Sequence, residues 1–487
     1  MARKHSALAT APSFLSDGIH VSDQPNILFI MADDHASHAM SCYGSRINRT
    51  PNLDRIADEG MRFDNCFCTN GICTPSRAAI LTGTYNHINK VTTLSTHMDN
   101  RLLTYPKLLQ EAGYQTALFG KWHLGQGSEH EPSGFDDWRV LPGQGLYHSP
   151  VMIDSAGQRV HVGYVTDLIT DMSLQWLKDR DKSKPFCMMV HHKAPHREWQ
   201  PDAKHATMYE DEEILEPETF NDTYANRSSA AAAAKMRMED LQWKDLKADV
   251  PGGLTPEQEK SWRYQRYIKD YLRVIASVDD GVGKLLDHLE AEGIVDNTLV
   301  IYTSDQGFFL GDHGWFDKRF MYEESLRMPF VLRFPREVKA GSSCEDMILN
   351  VDFASLFLDV AGVTIPDEFQ GRSFRPILHG ERPSDWRTSM YYRYWMHGDG
   401  AHNVYAHYGL RTHDHKLIYF YNDGCGQAGS GDQTHPPEWE LFDLKEDPYE
   451  ICSIYGEDAS AATQSLLTDE LHRLQADVGD ERYHLDT

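Results

Sequence analysis

The chain has 487 residues, 40% of them apolar, so it can bury a large core, either in about three domains or in one large α/β domain with a smaller one. Its formal net charge is −26, from 47 basic and 73 acidic side chains. Such a surface disfavours nonspecific binding to nucleic acid or to an anionic membrane, and no apolar run approaches the roughly 18 residues of a membrane span. We therefore expect no nucleic-acid or membrane partner, and an anionic substrate would need a local cluster of positive charge.

The first residues carry neither a fold signal nor a convincing export signal. Residues 1–24 start with basic residues, but Ser, Thr, Pro and Asp interrupt the apolar residues among them, which predicts a disordered arm. The eight cysteines are sparse for this length and do not have the spacing of a disulfide framework. Cys66, Cys68 and Cys73 also lack the CxxC pairs that zinc sites favour. Together these features predict a cytoplasmic location.

Four short apolar runs along the chain each end in polar residues. The runs and the residues that follow them are Asn26–Met31 before Asp33-Asp34, Thr116–Phe119 before Gly120-Lys121, Phe186–Val190 before His191-His192-Lys193, and Thr298–Tyr302 before Ser304-Asp305. A capped helix between Thr50 and Gly60 and a long helix from about Trp262 to Glu292 lie between the runs. This alternation predicts an α/β fold with a large, mainly parallel sheet sandwiched by helices. Such sheets bind ligands beyond the carboxyl ends of their strands, where these polar residues should meet.

The sequence changes character towards its end. Residues 201–251 are acidic and then alanine-rich, which indicates an insertion over one face. After about residue 385, short strands rich in Tyr and His appear, such as Lys416–Tyr421, followed by a closing helix at Ala461–Val478. We predict a catalytic α/β domain at 25–385 and a smaller α+β subdomain at 386–487.

The strongest local signal is the run from Cys73 to Gly83, Cys-Thr-Pro-Ser-Arg-Ala-Ala-Ile-Leu-Thr-Gly. Pro75 can open a helix, which would place Cys73 at the positive end of that helix beside Arg77, a place that lowers a thiol pKa and attracts an anion. A lone Cys-x-Pro would more often be a buried structural cysteine. The whole run, however, resembles the signature of type I sulfatases of the alkaline phosphatase superfamily, which directs oxidation of the cysteine to Cα-formylglycine. The resemblance extends from about Asn26 to Tyr449.

Four oxygen-bearing side chains form a predicted cation site. Two adjacent acids at a strand end, such as Asp33 and Asp34, often belong to a solvated turn. Asp305 could equally be a helix cap. As a set, however, the three carboxylates and one amide suit one divalent cation, Ca²⁺ or Mg²⁺, rather than Zn²⁺. In sulfatases the matching positions hold the metal together with the oxidised cysteine, and Ca²⁺ is the favoured ion. The predicted metal ligands are Asp33, Asp34, Asp305, Gln306 and Cys73.

A cluster of basic side chains is predicted from three further segments. Lys121 and His123 lie two residues apart in Gly-Lys-Trp-His-Leu-Gly, on the same side if the segment is extended. By resemblance, His196 aligns with the leaving-group histidine of the family, which leaves structural roles for His191 and His192. Lys318 resembles the lysine that contacts the bridging oxygen of the sulfate. With Arg77, these residues would form the positive cluster that an acidic protein needs for an anionic substrate.

The resemblance implies a sulfuric ester hydrolase that acts through a hydrated formylglycine and a covalent sulfo-enzyme intermediate, after a maturing enzyme has oxidised Cys73. The 140–145 and 193–196 segments are similar to bacterial mucin-desulfating enzymes of the N-acetylglucosamine-6-sulfatase group, so 6-O-sulfated N-acetylglucosamine is the favoured substrate. A sulfated uronate or galactose is the alternative sugar. In related enzymes the C-terminal subdomain helps to close the pocket, and we expect His402, His407 and Arg411 near it. The alternatives are a phosphonate monoester or phosphodiester hydrolase of the same superfamily and a sulfoglycan-binding protein with unmodified Cys73.

Overall fold

A computed structural model describes residues 24–483, so most of the predicted arm at 1–24 lies outside the described residues. The described chain has the predicted fold class: a ten-stranded, mainly parallel sheet flanked by helices, with a smaller four-stranded antiparallel sheet near the C-terminus. Within residues 24–483, no helix is both long enough and apolar enough to cross a lipid bilayer.

The regular elements are numbered in chain order. The strands are β1 (Asn26–Ala32), β2 (Met61–Phe63), β3 (Cys66–Phe67), β4 (Gln115–Lys121), β5 (Asp137–Leu141), β6 (Val151–Asp154), β7 (Gly157–Val160), β8 (Phe186–His191), β9 (Thr298–Ser304), β10 (Phe309–Leu310), β11 (Phe316–Asp317), β12 (Phe330–Arg333), β13 (Ser342–Cys344), β14 (Ile348–Leu349), β15 (Ser389–Tyr394), β16 (His407–Thr412), β17 (His415–Phe420) and β18 (Glu438–Asp443). The α-helices are α1 (Pro51–Asp58), α2 (Cys73–Thr82), α3 (Asn86–Asn89), α4 (Tyr105–Glu111), α5 (Val165–Asp179), α6 (Ser229–Ala233), α7 (Trp243–Leu246), α8 (Pro256–Ala291), α9 (Glu323–Leu326), α10 (Asp352–Val360), α11 (Arg375–Leu378) and α12 (Ala461–Val478).

The centre of the large sheet is parallel, and its edges are mixed. The strand order is β13-β2-β12-β9-β1-β8-β4-β5-β6-β7, and the run from β9 to β5 is parallel throughout. Every residue of β1 is buried, and its side chains alternate between two apolar cores. Helices α2, α4 and α10 contribute to one core, and α1, α5 and α8 contribute to the other. The four predicted strands are therefore β1, β4, β8 and β9, with their carboxyl ends at one edge.

The long helix α8 begins at Pro256, earlier than the predicted start near Trp262. Its first turn is fixed by a capping box: the backbone N–H of Gln258 donates to Thr255 Oγ1 (3.3 Å), and the N–H of Thr255 donates to Gln258 Oε1 (2.9 Å). The Thr-Pro-Glu-Gln sequence at 255–258 carries this signal without any apolar periodicity, which is why a prediction from apolar spacing began too late.

The C-terminal part of the chain packs against the first part without a gap. Its sheet, in the order β15-β16-β17-β18, begins at Ser389, and α12 covers it. Tyr392 and Leu410 of this sheet share one apolar core with Phe29 of β1. The predicted insertion at 201–251 contains short helices and extended segments, and Arg237 forms an isolated antiparallel bridge with Trp315.

Candidate active site

Three carboxylates meet where β1 and β9 end. Asp33 and Asp34 follow β1, and Asp305 follows β9, its neighbour in the sheet. One carboxylate oxygen from each of the three lies within 4.8 Å of the others. Asp34 has a left-handed backbone (φ 73°), and its N–H donates to Asp305 Oδ1 over 3.2 Å. This turn directs two consecutive carboxylates towards the same point.

Cys73 is the first residue of α2, and it faces these carboxylates. Its side chain is 1% exposed, and its Sγ lies within 4.8 Å of a carboxylate oxygen of Asp33 and a ring nitrogen of His196. Two contacts fix the helix: Ser76 Oγ donates to the backbone carbonyl of Asp305, and Asn350 Nδ2 donates to Ser76 Oγ over 2.9 Å. The cysteine is therefore held at the carboxyl edge of the sheet, as the sequence predicts.

The predicted lowering of the Cys73 thiol pKa is wrong for the unmodified side chain. Burial raises the pKa of this thiol well above its usual range, although Lys121 and Lys318 oppose the shift. Desolvation of a thiolate therefore outweighs the helix end and the two ammonium groups. An unmodified Cys73 would be a poor nucleophile in this site.

Three positively charged side chains pair with the carboxylates around Cys73. Arg77 donates from Nε to Asp305 Oδ2 (2.9 Å) and from Nη1 to the carbonyl of Lys121 (2.9 Å). Lys121 Nζ contacts Asp33 Oδ2, and Lys318 Nζ donates to Asp34 Oδ1 over 2.5 Å. All three side chains are almost completely buried. The predicted positive cluster thus exists, and each cation is fixed by a carboxylate.

His123 lies beside Cys73, but its backbone is not extended. It has φ 57°, so the expectation that Lys121 and His123 share one side of an extended segment is wrong; the strand ends at Lys121 and the chain turns. Its Nδ1 lies 3.2 Å from Thr74 Oγ1, next to Cys73 in the sequence. Burial, followed by the charge of Lys121, holds the pKa of His123 well below its usual range. A neutral imidazole can accept a proton.

The three histidines after β8 have different surroundings. His196 Nε2 lies 3.8 Å from Asp34 Oδ2, and its Nδ1 lies 2.8 Å from the carbonyl of Arg197. His191 Nδ1 lies 3.2 Å from the carbonyl of Lys121, which gives it a backbone partner. Both ring nitrogens of His192 are buried without a hydrogen-bond partner among the described residues. Of the three, His196 is the one that faces the carboxylates.

The unsatisfied oxygens of this cluster fit a divalent cation. Asp33 Oδ1 and Gln306 Oε1 are buried and have no hydrogen-bond partner within residues 24–483, while Gln306 Nε2 contacts Asp34 Oδ1. Burial and the neighbouring carboxylates raise the pKa of Asp34 to about 8, in spite of Lys318. Burial and Asp33 raise that of Asp305 to about 6. Carboxylate and amide oxygens left without hydrogen bonds in a buried site are the donors that Ca²⁺ or Mg²⁺ would bind.

The structure adds two charged residues that motif reasoning missed, and it places His402 beside them. Asp317 and Arg319 flank Lys318 and are joined by a bond from Arg319 Nε to Asp317 Oδ1 of 3.1 Å. His402 Nε2 lies 3.4 Å from Asp317 Oδ2, and its Nδ1 lies 3.2 Å from Asp399 Oδ1. The sequence signal that could have identified Asp317 and Arg319 is their position directly before and after the predicted catalytic residue Lys318. Gln144, whose Oε1 accepts from Lys121 Nζ over 2.5 Å, was likewise missed as a site residue.

His407 and Arg411 have other surroundings. The ring of His407 is fully buried, with its centroid 4.9 Å from that of Phe420 and 5.6 Å from that of Tyr392, so aromatic packing accounts for its position. Arg411 binds both oxygens of Glu323 at 3.2 Å and lines a separate cavity. Of the three residues that the sequence suggested for the sugar, only His402 adjoins the segment of Lys318.

Comparison with known proteins gives a consistent result. The model of the sulfatase family matches residues 25–363, and that of the C-terminal part of N-sulphoglucosamine sulphohydrolase matches residues 311–477. The chain is 43% identical over 503 aligned residues to the N-acetylglucosamine-6-O-sulfatase of Bacteroides thetaiotaomicron, covering 94% of this chain and 87% of that protein. It is 28% identical to the N-acetylglucosamine-6-sulfatase of Capra hircus over 77% of this chain and 67% of that protein.

Two solved structures extend the comparison. One, a complex with its substrate D-glucosamine-2-N,6-O-disulfate, has a TM-score of 0.88 and 43% identity, covering 94% of this chain and 98% of that one. The phosphonate monoester hydrolase of Agrobacterium radiobacter has a TM-score of 0.74 and 22% identity over 93% of this chain and 96% of that one, which shows a common fold. Because the sulfatase model matches more than half of the chain, and a sulfatase is 43% identical across 94% of it, the chain belongs to the sulfatase family.

Proposed function

We propose that this sulfatase releases inorganic sulfate from 6-O-sulfated N-acetylglucosamine, as a monosaccharide or within an oligosaccharide. The observation that carries the chemistry is the position of Cys73, buried against the carboxylate of Asp33 inside a cluster of fixed cations. The choice of sugar is supported by relatives that bear the name N-acetylglucosamine-6-sulfatase, and by the sulfated glucosamine bound in a structure 43% identical to this chain.

The proposal includes two groups that the protein would have to acquire. Cys73 would be oxidised to formylglycine by a maturing enzyme, and one divalent cation, with Ca²⁺ favoured over Mg²⁺, would be held by residue 73 and four oxygen donors. Those donors are Asp33, Asp34, Asp305 and Gln306. Together these groups would supply an oxygen nucleophile at position 73 and a Lewis acid for the sulfate oxygens.

The side chains around residue 73 would stabilise the charge that develops during sulfate transfer. Arg77 is locked by Asp305 and by the carbonyl of Lys121, so it would hold the side chain of residue 73 rather than react. Lys121 and Lys318 are buried on carboxylates and need little rearrangement to face sulfate oxygens. This arrangement is preorganised for an anion.

Two histidines and a lysine would move protons. His196 or Lys318 would protonate the departing sugar oxygen, since both carry nitrogens beside Asp34 in the buried cluster. In neutral His196, the carbonyl of Arg197 favours the proton on Nδ1, so donation from Nε2 needs a second proton. His123, with Nδ1 close to Thr74 Oγ1, would use Nε2 as the base that assists sulfate release.

The sugar itself would meet a polar surface beside Lys318. Asp317, Arg319, Asp399 and His402 form a buried charged group there, and Asp399 Oδ2 is buried without a hydrogen-bond partner among the described residues. Carboxylate and guanidinium groups bind sugar hydroxyls through charge-assisted hydrogen bonds. We therefore place the ring of the sugar against this group.

The test combines mass spectrometry with a panel of sulfated sugars. Protein produced with a maturing enzyme should contain formylglycine in the peptide that includes position 73, and it should release sulfate from N-acetylglucosamine 6-sulfate faster than from sulfated galactose or uronate. Full turnover by a protein containing only the thiol would refute the formylglycine mechanism. Preference for another sulfated sugar would refute the choice of substrate.

Kinetic measurements distinguish the proposed sulfatase from the alternative, a phosphonate monoester or phosphodiester hydrolase. The fold is shared with a phosphonate monoester hydrolase, so kcat/KM should be compared for an aryl sulfate, an aryl phosphate diester and a sulfated sugar. A higher kcat/KM for the phosphate diester would favour the alternative.

The cytoplasmic location and the maturing enzyme stay predictions from the sequence. Desulfation of long extracellular polymers by intact cells would contradict the cytoplasmic location.

A further inference from the structure

A second cavity of about 500 Å³ lies apart from the candidate active site. Its wall comes from the loop after β1 between His38 and Ile47, the insertion at 215–218, Tyr264 of α8, Leu310 and Asp312, the turn at 323–327, and Arg411 with residues 444–449. The residues that line it do not include the carboxylates and cations around Cys73. Its volume falls in the range of pockets that bind small molecules.

Two arginines in the wall of this cavity have unused hydrogen-bond donors. Arg411 is 7% exposed, and its Nη1 is buried with no partner among the described residues, although its other nitrogens bind Glu323. Nε of Arg327 is also buried without a partner, and within residues 24–483 no carboxylate forms an ion pair with this side chain. An unpaired buried donor is unfavourable, and a guanidinium matches the geometry of an oxyanion. Each arginine therefore keeps a donor for an anionic group, beside Glu323, whose charge interacts with both.

The remainder of the wall suits a sugar better than a bare anion. Five carboxylates line the cavity: Glu216, Glu218, Asp312, Glu323 and Glu324. Oε2 of Glu324 is buried without a hydrogen-bond partner within the described chain, and it lies 3.9 Å from His313 Nε2. Carboxylates repel a free anion but accept hydrogen bonds from hydroxyl groups. Leu215 (53% exposed) and Tyr449 (42% exposed) add apolar surface at the rim, on which the C–H face of a sugar ring can pack.

We propose that this cavity is a second, non-catalytic binding site for an anionic sugar. Arg327 and Arg411 bind the sulfate or carboxylate group of the sugar, Glu324 accepts from a hydroxyl, and Tyr449 packs on the ring. The choice of a sulfated sugar rests on the proposed function. Arg411, which the sequence suggested as a sugar-binding residue, would thus bind sugar at a site apart from Cys73.

Equilibrium dialysis tests the number of binding sites. A Cys73→Ala chain, which does not consume its ligand, should bind two molecules of N-acetylglucosamine 6-sulfate. Adding Arg327→Gln should leave one tightly bound sugar and raise the Kd of the other site at least about tenfold, because a charged hydrogen bond is lost. Adding Arg49→Gln, which removes an exposed arginine outside the cavity, should leave two. One bound sugar in the Cys73→Ala chain, or two with unchanged Kd after Arg327→Gln, would overturn the proposal.

Two further measurements keep the outcomes separate. Arg327→Gln in the matured enzyme should leave kcat/KM for N-acetylglucosamine 6-sulfate within twofold of the parent, which also verifies folding. If this variant does not fold, Tyr449→Ala at the rim replaces it with the same expected loss of one bound sugar. Inorganic sulfate that competes at the second site as well as the sugar does would overturn the sugar assignment. A matured enzyme that leaves this sugar intact, yet has an Arg327-dependent site, would refute only the proposed function.

Discussion

The placement of His196 allows its role to be tested through the leaving group. Its Nε2 faces Asp34, and its Nδ1 faces the carbonyl of Arg197. If it protonates the departing oxygen, His196→Gln should lower kcat for a sugar 6-sulfate by about 10²- to 10⁴-fold. The same variant should slow p-nitrophenyl sulfate much less, since nitrophenolate leaves without a proton. Equal losses on both substrates would assign proton donation to Lys318 or another group.

The crowded carboxylates predict a dependence on metal. Treating the matured enzyme with a chelator should abolish sulfate release and lower Tm, because Asp33, Asp34 and Asp305 then repel one another in a buried site. Adding the ion back at about 100 times its Kd should restore roughly 2.7 kcal/mol of stability. Titration with Ca²⁺ and Mg²⁺ in parallel identifies the preferred ion. Full activity in metal-free buffer would contradict the predicted cation site.

At the level of single residues, the motifs predicted which side chains would converge, but not how each one is held. Cys73 and Arg77 meet the carboxylates from the first turns of α2, and Lys121 meets them from the last residue of β4. Lys318 comes from beyond β11, in a separate two-stranded sheet. The left-handed backbone of His123 depends on the turn beyond Lys121, and the role of Asp317 depends on His402 from a distant segment. Such contacts arise from tertiary packing, which no local pattern contains.

The close approach of β4 to β8 predicts that only glycine fits at position 120. Gly120 has φ 111°, and a Cβ there would lie 1.9 Å from the carbonyl oxygen of His191 on β8. Gly120→Ala should destabilise the fold by at least about 2–4 kcal/mol, because it combines an unfavourable backbone with overpacking between β4 and β8. Urea unfolding measures the difference.

The matched control for that substitution is Gly157→Ala, at the first residue of β7. Gly157 has φ 119° but no atom within 4 Å of the added Cβ, so only backbone strain of about 1–2 kcal/mol remains. If the two variants lose the same stability, close packing between the strands is not what requires Gly120.

The insertion supports the segment of Lys318 through a buried ion pair, which predicts a pH dependence. Asp222 accepts from His313 Nδ1 (2.8 Å) and from Arg227, and the hydroxyl of Tyr224 donates to the carbonyl of His313 (2.8 Å). Burial would raise the pKa of Asp222, but hydrogen bonds from His313, from the backbone N–H of Tyr224 and from Arg227 lower it to about 2. A lowered carboxyl pKa stabilises the fold above its unfolded value near 4, and this contribution is lost as the pH falls towards 2.

Asp222→Asn should therefore destabilise the protein by about 1–3 kcal/mol at pH 7, and the difference should shrink as the pH falls below about 4. Thermal unfolding at pH 7, 5 and 3.5 measures this. Asp211→Asn, which changes the same charge on an exposed part of the insertion, should have little effect at any of these pH values. A difference in stability between Asp222→Asn and the parent that stays constant down to pH 3.5 would contradict the assignment.

Some strands and helices could be predicted from the sequence, and others could not. The four parallel strands were predicted because each is an uninterrupted apolar run buried on both faces, and α12 was predicted to its observed ends. Strands β2 and β13 have three residues each, too short for a pattern to stand out. The helix α8 was found from its apolar spacing, but its first turn is polar and is fixed by the Thr255 cap.

At the scale of the whole molecule, the contacts of α12 predict that the ten-stranded sheet and the four-stranded sheet stabilise each other. Leu471 is fully buried against the small sheet, and the carbonyl of Val478 accepts from Gln370 Nε2 (2.8 Å) in the first part of the chain. Leu471→Ala should lower stability by about 2–5 kcal/mol. Calorimetry should show one transition at a lower Tm, because both sheets share a core. Two separate transitions would contradict this.

The control for that variant lies on the same helix. Leu466 is 71% exposed, so Leu466→Ala should change stability by no more than about 0.5 kcal/mol. The predicted division near residue 385 came from a change of composition, and the second sheet does begin at Ser389. Composition carries no information on contacts between sheets, which is why the shared core could not be predicted.

The depth of Cys73 has a consequence for the order of events during synthesis. An enzyme that oxidises this thiol needs the segment unfolded, since the finished fold leaves 1% of the side chain accessible. Asp305 and β9, which enclose it, lie more than 200 residues further along the chain. A ribosome adding 5–20 residues per second needs roughly 10–40 s to make that stretch. The proposed oxidation would therefore have a time window set by translation, and synonymous codons that speed elongation between residues 73 and 305 should lower the fraction of chains that emerge converted.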